Sequence, residues 1–258
     1  MKKTPPIFPA SFCILGTVLG LTACGRNGDL GRLATAPRPQ AGARITASSN
    51  LITLPFDPAN FVRGVDNHYF PLSPGTTYTY RGTSKNGVEI NTVEVTHQTK
   101  MILGVTTMVV HDAVYIEDGS LAEDTFDWYA QDQQGNVWYF GEDTKTYDHG
   151  ALVTTQGSWE AGKNDAHPGI IMLGDPQVGD LYKQEDSPGI VEDMGKVVSL
   201  TETATVPYGT FTNCLKTTEW TPIEPGNRAH KFYAPGVGTV LELSSRLGGE
   251  RVELIKVE

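Results

Sequence analysis

The sequence predicts an all-β fold made of antiparallel meanders. Short alternating runs rich in β-branched residues, such as Val88–Thr96 and Thr106–His111, are typical of strands with one buried face. Turn dipeptides such as Asn86-Gly87 and Asp118-Gly119 separate these runs at close spacing, as hairpins require. No run keeps a helical period, and 28 glycines and 16 prolines leave little room for helix.

Residues 1–23 are predicted to be a lipoprotein signal peptide. Lys2 and Lys3 give a positive start, and the apolar run Phe12–Leu21 is too short to span a bilayer core of about 30 Å. Leu21-Thr22-Ala23-Cys24 resembles the bacterial lipobox, which implies thioether lipidation of Cys24 and cleavage before it. An ordinary signal peptide with an incidental cysteine is the alternative.

Residues 24–50 are predicted to be a flexible tether, because they are rich in Gly, Ala, Pro and Ser and hold almost no large apolar residues. Gly25 follows the cysteine, where Asp would resemble an inner-membrane retention signal. The expected location is therefore the bacterial cell envelope, on the outer membrane if the cell has two, with the membrane as a partner through lipidated Cys24.

The remaining chain, residues 51–258, is predicted to be the β domain, and it is acidic. Residues 1–50 hold six of the 20 basic and one of the 30 acidic side chains, which leaves 14 basic and 29 acidic groups, a formal net charge of −15. A nucleic-acid partner would need the opposite balance, so none is expected. Cys214 is the one cysteine of this part, so the predicted mature fold has no internal disulfide.

An internal echo predicts two related sheet units. Gly75-x-x-Tyr78 recurs as Gly179-x-x-Tyr182, and Tyr129-Ala130 recurs as Tyr233-Ala234, both 104 residues apart. We expect units at about 70–142 and 175–243, joined into one curved-sheet sandwich or open barrel. The segment between them, 143–174, has no counterpart and is expected either to form a lid at the rim or to pack into the core.

The predicted binding residues come from one aromatic-rich hairpin and from this inserted segment. The hairpin places rings on both alternations of its strands, which indicates burial on both faces. Surplus aromatic surface beside an unrepeated segment favours a concave site for an apolar or amphiphilic small molecule or for a partner protein of the envelope. The expected walls and rim are Trp128, Tyr129, Trp138, Phe140, Trp159 and His167.

Three residues are candidates for catalysis. Asp127 lies between Phe126 and Trp128, where an apolar surround would raise the pKa of its carboxyl group and suit it to acid–base work. Glu160 and His167 lie in the inserted segment, and the expected acid–base pair of a hydrolase or lyase is either Asp127 or Glu160 beside His167. An edge-facing or hydrogen-bonded Asp127 without catalytic role is the alternative.

Standard metal, cofactor and catalytic motifs are missing from the sequence. The six histidines lack ligand spacing, the acids between Asp112 and Asp127 lack the pattern of a calcium-binding hand, and no phosphate-binding or dinucleotide glycine loop occurs. We therefore expect no metal and no cofactor, and a non-catalytic binding protein is the favoured interpretation over the enzyme.

Two further segments resemble known bacterial proteins. Val206–Phe211 (VPYGTF), followed by an alternating apolar strand, resembles a segment of secreted envelope β-proteins. The runs 157–162, 168–172 and 192–194 are similar to those of a set of uncharacterised bacterial lipoproteins, over about residues 60 to 245. The resemblance implies no activity, because none is assigned to that family.

Overall fold

The computed structural model describes residues 51–245 and 249–258, and this part of the chain is all-β. It contains one short 3-10 turn, Pro58–Asn60, and no α-helix. None of its elements is a helix long and apolar enough to cross a membrane. The predicted signal peptide, Cys24 and the tether lie outside the described residues. The strands are β1 (Leu51–Ile52), β2 (Val65–Asn67), β3 (Phe70–Leu72), β4 (Thr77–Ser84), β5 (Gly87–Ile102), β6 (Val105–Ile116), β7 (Leu121–Gln131), β8 (Val137–Asp148), β9 (Ala151–Thr154), β10 (Trp159–Glu160), β11 (Gly169–Met172), β12 (Leu181–Lys183), β13 (Met194–Val206), β14 (Gly209–Trp220), β15 (Ala229–Ala234), β16 (Gly238–Ser244) and β17 (Glu250–Val257).

One large sheet organises the domain. Its 15 strands run in the order β1-β12-β13-β14-β15-β16-β17-β4-β5-β6-β7-β8-β10, with β9 and β11 also paired to β8, while β2 and β3 form a separate two-stranded sheet. Every pairing is antiparallel except that of β1 with β12. The sheet is not closed. The predicted all-β, antiparallel fold is confirmed, in the form of a single open sheet.

The two halves of the sheet meet at β17, which pairs with β16 on one side and β4 on the other. The longest strands, β5 and β13, each lose register within their hairpins, between Val95 and Thr99 in β5 and at three points between Val197 and Ala204 in β13. Such irregularities bend a strand and increase its twist. The sheet is therefore expected to bend at these points.

The positions of the sequence echo have similar hydrogen bonds in both halves. The Gly75 amide donates to the Val95 carbonyl at 2.7 Å, and the Gly179 amide donates to the Val197 carbonyl at 2.9 Å. Tyr129 and Tyr233 are both buried in the sheet interior. The duplication itself stays a prediction, and these bonds are consistent with it.

The segment between the two predicted units lies between the ends of the sheet. Its first residues continue β8 as far as Asp148, because they pair with β7 up to Thr146 and with β9 from Thr146 to Asp148. Farther on, β11 pairs with β8, and the His167 amide donates to the Asp186 carbonyl at 2.8 Å beyond β12. All four residues of β11 are buried, so this part of the segment packs into the core.

Candidate functional site

The rings predicted to form a binding wall lie on both faces of the β7–β8 hairpin. Trp138 and Phe140 pack against Phe56 and Phe61 of the segment before β2, with ring centroids 5.6 to 6.1 Å apart. These four rings form what we call the aromatic cluster. Phe56 is 37 % exposed, whereas Trp138 and Phe140 are buried. The segment between β1 and β2 therefore covers most of the aromatic surface of Trp138 and Phe140.

The inner face of the same hairpin carries a different set of rings. Tyr129 stacks on Tyr139 with centroids 4.7 Å apart, and Trp159 of β10 meets Tyr139 edge-on at 5.4 Å. Because neighbouring residues of a strand point to opposite faces, Tyr139 lies on the other side of the sheet from Trp138 and Phe140. The six predicted binding residues therefore do not share one surface.

Asp127 lies on this inner face and is completely buried. The Tyr139 hydroxyl donates to its Oδ1 at 2.5 Å, while its Oδ2 has no hydrogen-bond partner. Burial raises the pKa of the Asp127 carboxyl to about 7, although hydrogen bonds from Tyr139 and Tyr129 and the charge of Lys231 oppose the rise. A carboxyl group with this pKa exchanges its proton near neutral pH.

The second half of the sheet places a lysine and a carboxylate close to Asp127. Lys231 Nζ lies 3.0 Å from Glu219 Oε2. The other oxygen, Oε1, accepts hydrogen bonds from the hydroxyl groups of Tyr233 at 2.9 Å and Thr217 at 2.7 Å. Burial raises the pKa of Glu219, but the charge of Lys231 and hydrogen bonds from Thr217 and Lys231 outweigh burial and hold that pKa below its ordinary value. Glu219 is therefore ionised, and each of its two carboxylate oxygens has a partner.

Glu242 of β16 has the opposite environment. Neither of its carboxyl oxygens has a hydrogen-bond partner, and only 1 % of the residue is exposed. Burial raises the pKa of Glu242 to about 8, because the charge of Lys231 does not offset burial and the nearby Glu219 and Glu250. An unpaired buried carboxylate costs several kcal/mol, so this group is protonated at neutral pH.

Two more buried acids, Glu185 and Asp193, also have raised pKa values. Burial raises the pKa of Glu185, with the charges of Asp193 and Glu142 adding to the effect, and the Trp159 indole donates to Glu185 Oε1 at 3.1 Å. Burial also raises the pKa of Asp193 to about 7. Six of the buried ionisable residues form what we call the inner charge cluster: Asp127, Glu185, Asp193, Glu219, Lys231 and Glu242.

The inner charge cluster has five acids and one base, and burial leaves the pKa of four of the five acids raised, Glu219 being the exception. Within residues 51–245 and 249–258, no three His, Cys, Asp or Glu side chains are arranged to hold a metal ion. All six members are at least nine-tenths buried. The arrangement can store and exchange protons, and no member presents a group at the protein surface.

The other two catalytic candidates have separate partners. Glu160 binds Lys100 at 2.8 Å and Lys163 at 2.9 Å, and although burial raises its pKa, the two lysines bring that pKa below its ordinary value. His167 is 69 % exposed in its side chain and lies 3.7 Å from Asp186. Glu160 is thus held as a carboxylate, and His167 lies at the surface.

Trp128 is linked to this ion-paired group. Lys100 Nζ lies 3.2 Å from the centroid of the Trp128 ring, a cation–π contact, while its charge is shared with Glu160. The ring is almost wholly buried. Lys100 therefore occupies the face that an apolar ligand would need.

Sequence reasoning missed most of the inner charge cluster. Glu219 lies two residues after buried Thr217, and Lys231 lies two residues before buried Tyr233. Residues two apart in a strand point to the same face, so this spacing places both charged residues on the buried face. The 104-residue echo aligns Lys231 with Asp127, which also marks both as inward-facing. Glu242 carries no such signal, because a glutamate in a strand normally faces solvent.

Comparisons with known proteins give a likeness of architecture only. No family model matches the chain, and no curated protein does. A solved structure called a "putative exported protein with YmcC-like fold" from Bacteroides fragilis is 15% identical, with a TM-score of 0.42 over 74% of this chain and 99% of that one. A "putative lipoprotein" from Parabacteroides distasonis is 13% identical, with a TM-score of 0.41 over the same shares. At these scores the likeness supports no conclusion about activity.

Proposed function

We propose that this chain is a non-catalytic lipoprotein of the bacterial cell envelope that binds an apolar or amphiphilic molecule, or a partner protein. The observation that carries the proposal is that the two carboxyl candidates for acid–base chemistry are buried or ion-paired. Asp127 is completely buried beneath Tyr139, and Glu160 is neutralised by two lysines. A general acid or base must reach its substrate, and neither residue does so in this conformation.

Anchoring is proposed from the lipobox-like Leu21-Thr22-Ala23-Cys24. A lipid on Cys24 would hold the β domain at the membrane through the tether, on the outer membrane in a two-membraned cell. The check is mass spectrometry of the protein purified from membranes: a lipid-modified N-terminal Cys24 is expected. A Cys24→Ser chain should lose the modification and leave the membrane fraction.

The aromatic cluster is the best-supported binding surface for an apolar chain. Phe56 is 37 % exposed and contacts Phe61, Trp138 and Phe140 in tilted or edge-on geometry, so a ligand could add apolar contact to an existing cluster of rings. Apolar surface of this kind contributes roughly 25 cal/mol per Å² when it is removed from water. Trp138 lies within the cluster and serves as a fluorescent reporter.

The experiment is a fluorescence titration of the protein with long-chain amphiphiles below their micelle concentration. Saturable quenching is expected, and Phe56→Ala should weaken it about tenfold. Tyr115→Ala is the matched control, because Tyr115 is also 37 % exposed but lies in β6 outside the aromatic cluster. Absence of saturation, or equal weakening by both variants, would argue against this surface.

A hydrolase or lyase is the second candidate, and the pKa of Asp127 favours it. A carboxyl group with a pKa of about 7 is suited to proton transfer at neutral pH. Hydrolase and lyase substrate panels should be tested with the native protein, Asp127→Asn and His167→Ala. A reaction lost in both variants would establish the enzyme, and equal rates in all three would remove these residues from consideration.

A further inference from the structure

The β5–β6 turn holds a leucine in a backbone conformation that leucine rarely adopts. Leu103 has φ 49° and Gly104 has φ 82°, and together they form the two-residue loop between Ile102 and Val105. Such turns require positive φ at both positions and strongly favour Asn-Gly. A left-handed leucine costs about 1 kcal/mol relative to asparagine or glycine. The side chain nevertheless remains 43 % exposed.

The turn lies beside the N-terminal segment of the domain. A Cβ atom placed on Gly104 would lie 3.5 Å from Pro58 Cβ, so the turn packs directly on Pro58. Met101, two residues before Leu103, is 64 % exposed, and Phe56, two residues before Pro58, is 37 % exposed. We call these four apolar residues the turn patch: Phe56, Pro58, Met101 and Leu103.

The chain enters the domain close to the turn patch. Leu51 precedes Phe56 by five residues, which limits the distance between them to about 17 Å. The 26 residues between Cys24 and Leu51 could reach about 90 Å when extended, so a tether alone would leave the orientation of the domain open. An apolar patch near Leu51, where the tether joins the domain, would fix the orientation of the domain on the membrane.

We infer that the turn patch rests on the bilayer in which the lipid of Cys24 is inserted. The inference depends on the proposed anchor and adds an orientation of the domain to it. The β5–β6 turn faces the lipid, and the β6–β7 turn, at the other end of β6, faces away from it. Exposed leucine, methionine and phenylalanine side chains partition favourably into the interfacial region of a bilayer. Leu103 packs against Gly162 on one side, where a Cβ atom would lie 2.5 Å from its Cδ2, and the 43 % of the residue that stays exposed suits that role.

The test is quenching of site-specific labels by brominated lipid. The lipidated protein carrying Leu103→Cys or Met101→Cys is labelled with an environment-sensitive fluorophore and reconstituted into vesicles of phosphatidylethanolamine and phosphatidylglycerol. Cys214 is buried and Cys24 is blocked by its lipid, so the new cysteine takes the label. Leu152→Cys is the matched control, because Leu152 is 56 % exposed on β9.

Bromine on the acyl chains should quench the labels at 101 and 103 at least about threefold more than the label at 152. Equal quenching at the three positions, or none, overturns the inference. Vesicle flotation separates the two proposals, because a protein without a lipid anchor fails to float, whereas a wrong orientation leaves flotation intact and abolishes the difference in quenching. Met101 lies outside the strained turn and gives a second result if Leu103→Cys misfolds.

Discussion

Lys231 Nζ lies 3.0 Å from Glu219 Oε2 in the interior of the domain, where both side chains are more than nine-tenths buried. Lys231 is the one base of the inner charge cluster, and it decides which acids are ionised. Glu219 forms an ion pair with Lys231 and accepts hydrogen bonds from two hydroxyl groups. Glu242 and Asp127 experience the charge of Lys231 without an ion-pair contact. Lys231 therefore keeps Glu219 ionised, while the pKa values of Glu242 and Asp127 remain raised.

Replacing Lys231 by methionine should lower the free energy of unfolding by about 3 kcal/mol at neutral pH. The substitution leaves Glu219 as a buried charge without its counter-ion, which is the costly way to break a buried pair. Chemical denaturation followed by tryptophan fluorescence measures the change. Lys256→Met is the control, because Lys256 pairs with Glu258 at the surface and its loss should cost less than about 0.5 kcal/mol.

A second substitution distinguishes the lost charge from lost packing. Combining Lys231→Met with Glu219→Gln removes the stranded carboxylate, so the double variant should recover at least about 1 kcal/mol relative to Lys231→Met alone. A double variant as unstable as the sum of the two single variants would show that the pair is not electrostatically coupled.

Stability should fall as the pH rises from about 5 to about 8.5. The pKa values of Asp127 and Asp193 are raised from 3.8 to about 7, and that of Glu242 from 4.5 to about 8. The folded chain therefore binds more protons than the unfolded chain in this window, and the difference in stability should exceed about 1 kcal/mol. The contribution is fully present below the unfolded pKa values and is lost above the folded ones.

Glu242→Gln provides the control for this pH dependence. The amide cannot ionise, so the variant should lose less stability than the native protein between the same two pH values. Glu219 and Glu160 have lowered pKa values and titrate below this window, so they do not obscure it. Thermal unfolding at several pH values measures both proteins, and parallel curves would contradict the assignment of Glu242.

Replacing Leu103 by asparagine should stabilise the domain by about 0.5 to 1 kcal/mol. Asparagine tolerates positive φ better than leucine, and Asn-Gly is the preferred pair for this turn. Asn213→Leu is the reciprocal variant, because Asn213 has φ 55° and already uses that tolerance. It should lose about 1 kcal/mol, and a loss in both variants would show that Leu103 contributes packing that outweighs its backbone strain.

The all-β fold class could be predicted from the sequence because the residue patterns that indicate strands and turns are local. Alternation within runs such as Val88–Thr96 and turn pairs such as Asn86-Gly87 act over a few residues. The alternation appears as predicted in β5, and the turn before it lies one residue earlier than predicted, because Gly87 already pairs with Ser84. The pairing of β17 with β4 joins Val257 to Tyr78, and no local pattern specifies a contact across so much of the chain. Strand order therefore needed the structure.

The candidate site was harder to predict because burial of charge is a property of the assembled sheet. Aromatic surplus correctly indicated burial on both faces of the β7–β8 hairpin, yet it gave no sign that Phe56 and Phe61 cover the outer face. Glu242 satisfies no motif, and its protonation follows from Lys231 and Glu219 in other strands. Only long-range neighbours reveal that chemistry.

Gly169→Ala should destabilise the domain by more than about 2 kcal/mol, because Gly169 is where the segment between the predicted units meets the far end of the sheet. A Cβ atom at this position would lie 2.0 Å from the Gln184 carbonyl oxygen, so β11 and the chain after β12 would have to separate. Gly82→Ala is the control, because a Cβ there meets the side chains of Glu89 and Glu250 no closer than 3.6 Å, which is ordinary contact, and its effect should stay within about 0.5 kcal/mol. Equal unfolding midpoints for the two variants would mean that the contact between β11 and Gln184 yields without cost, and that the ends of the sheet are held by the remaining pairs alone.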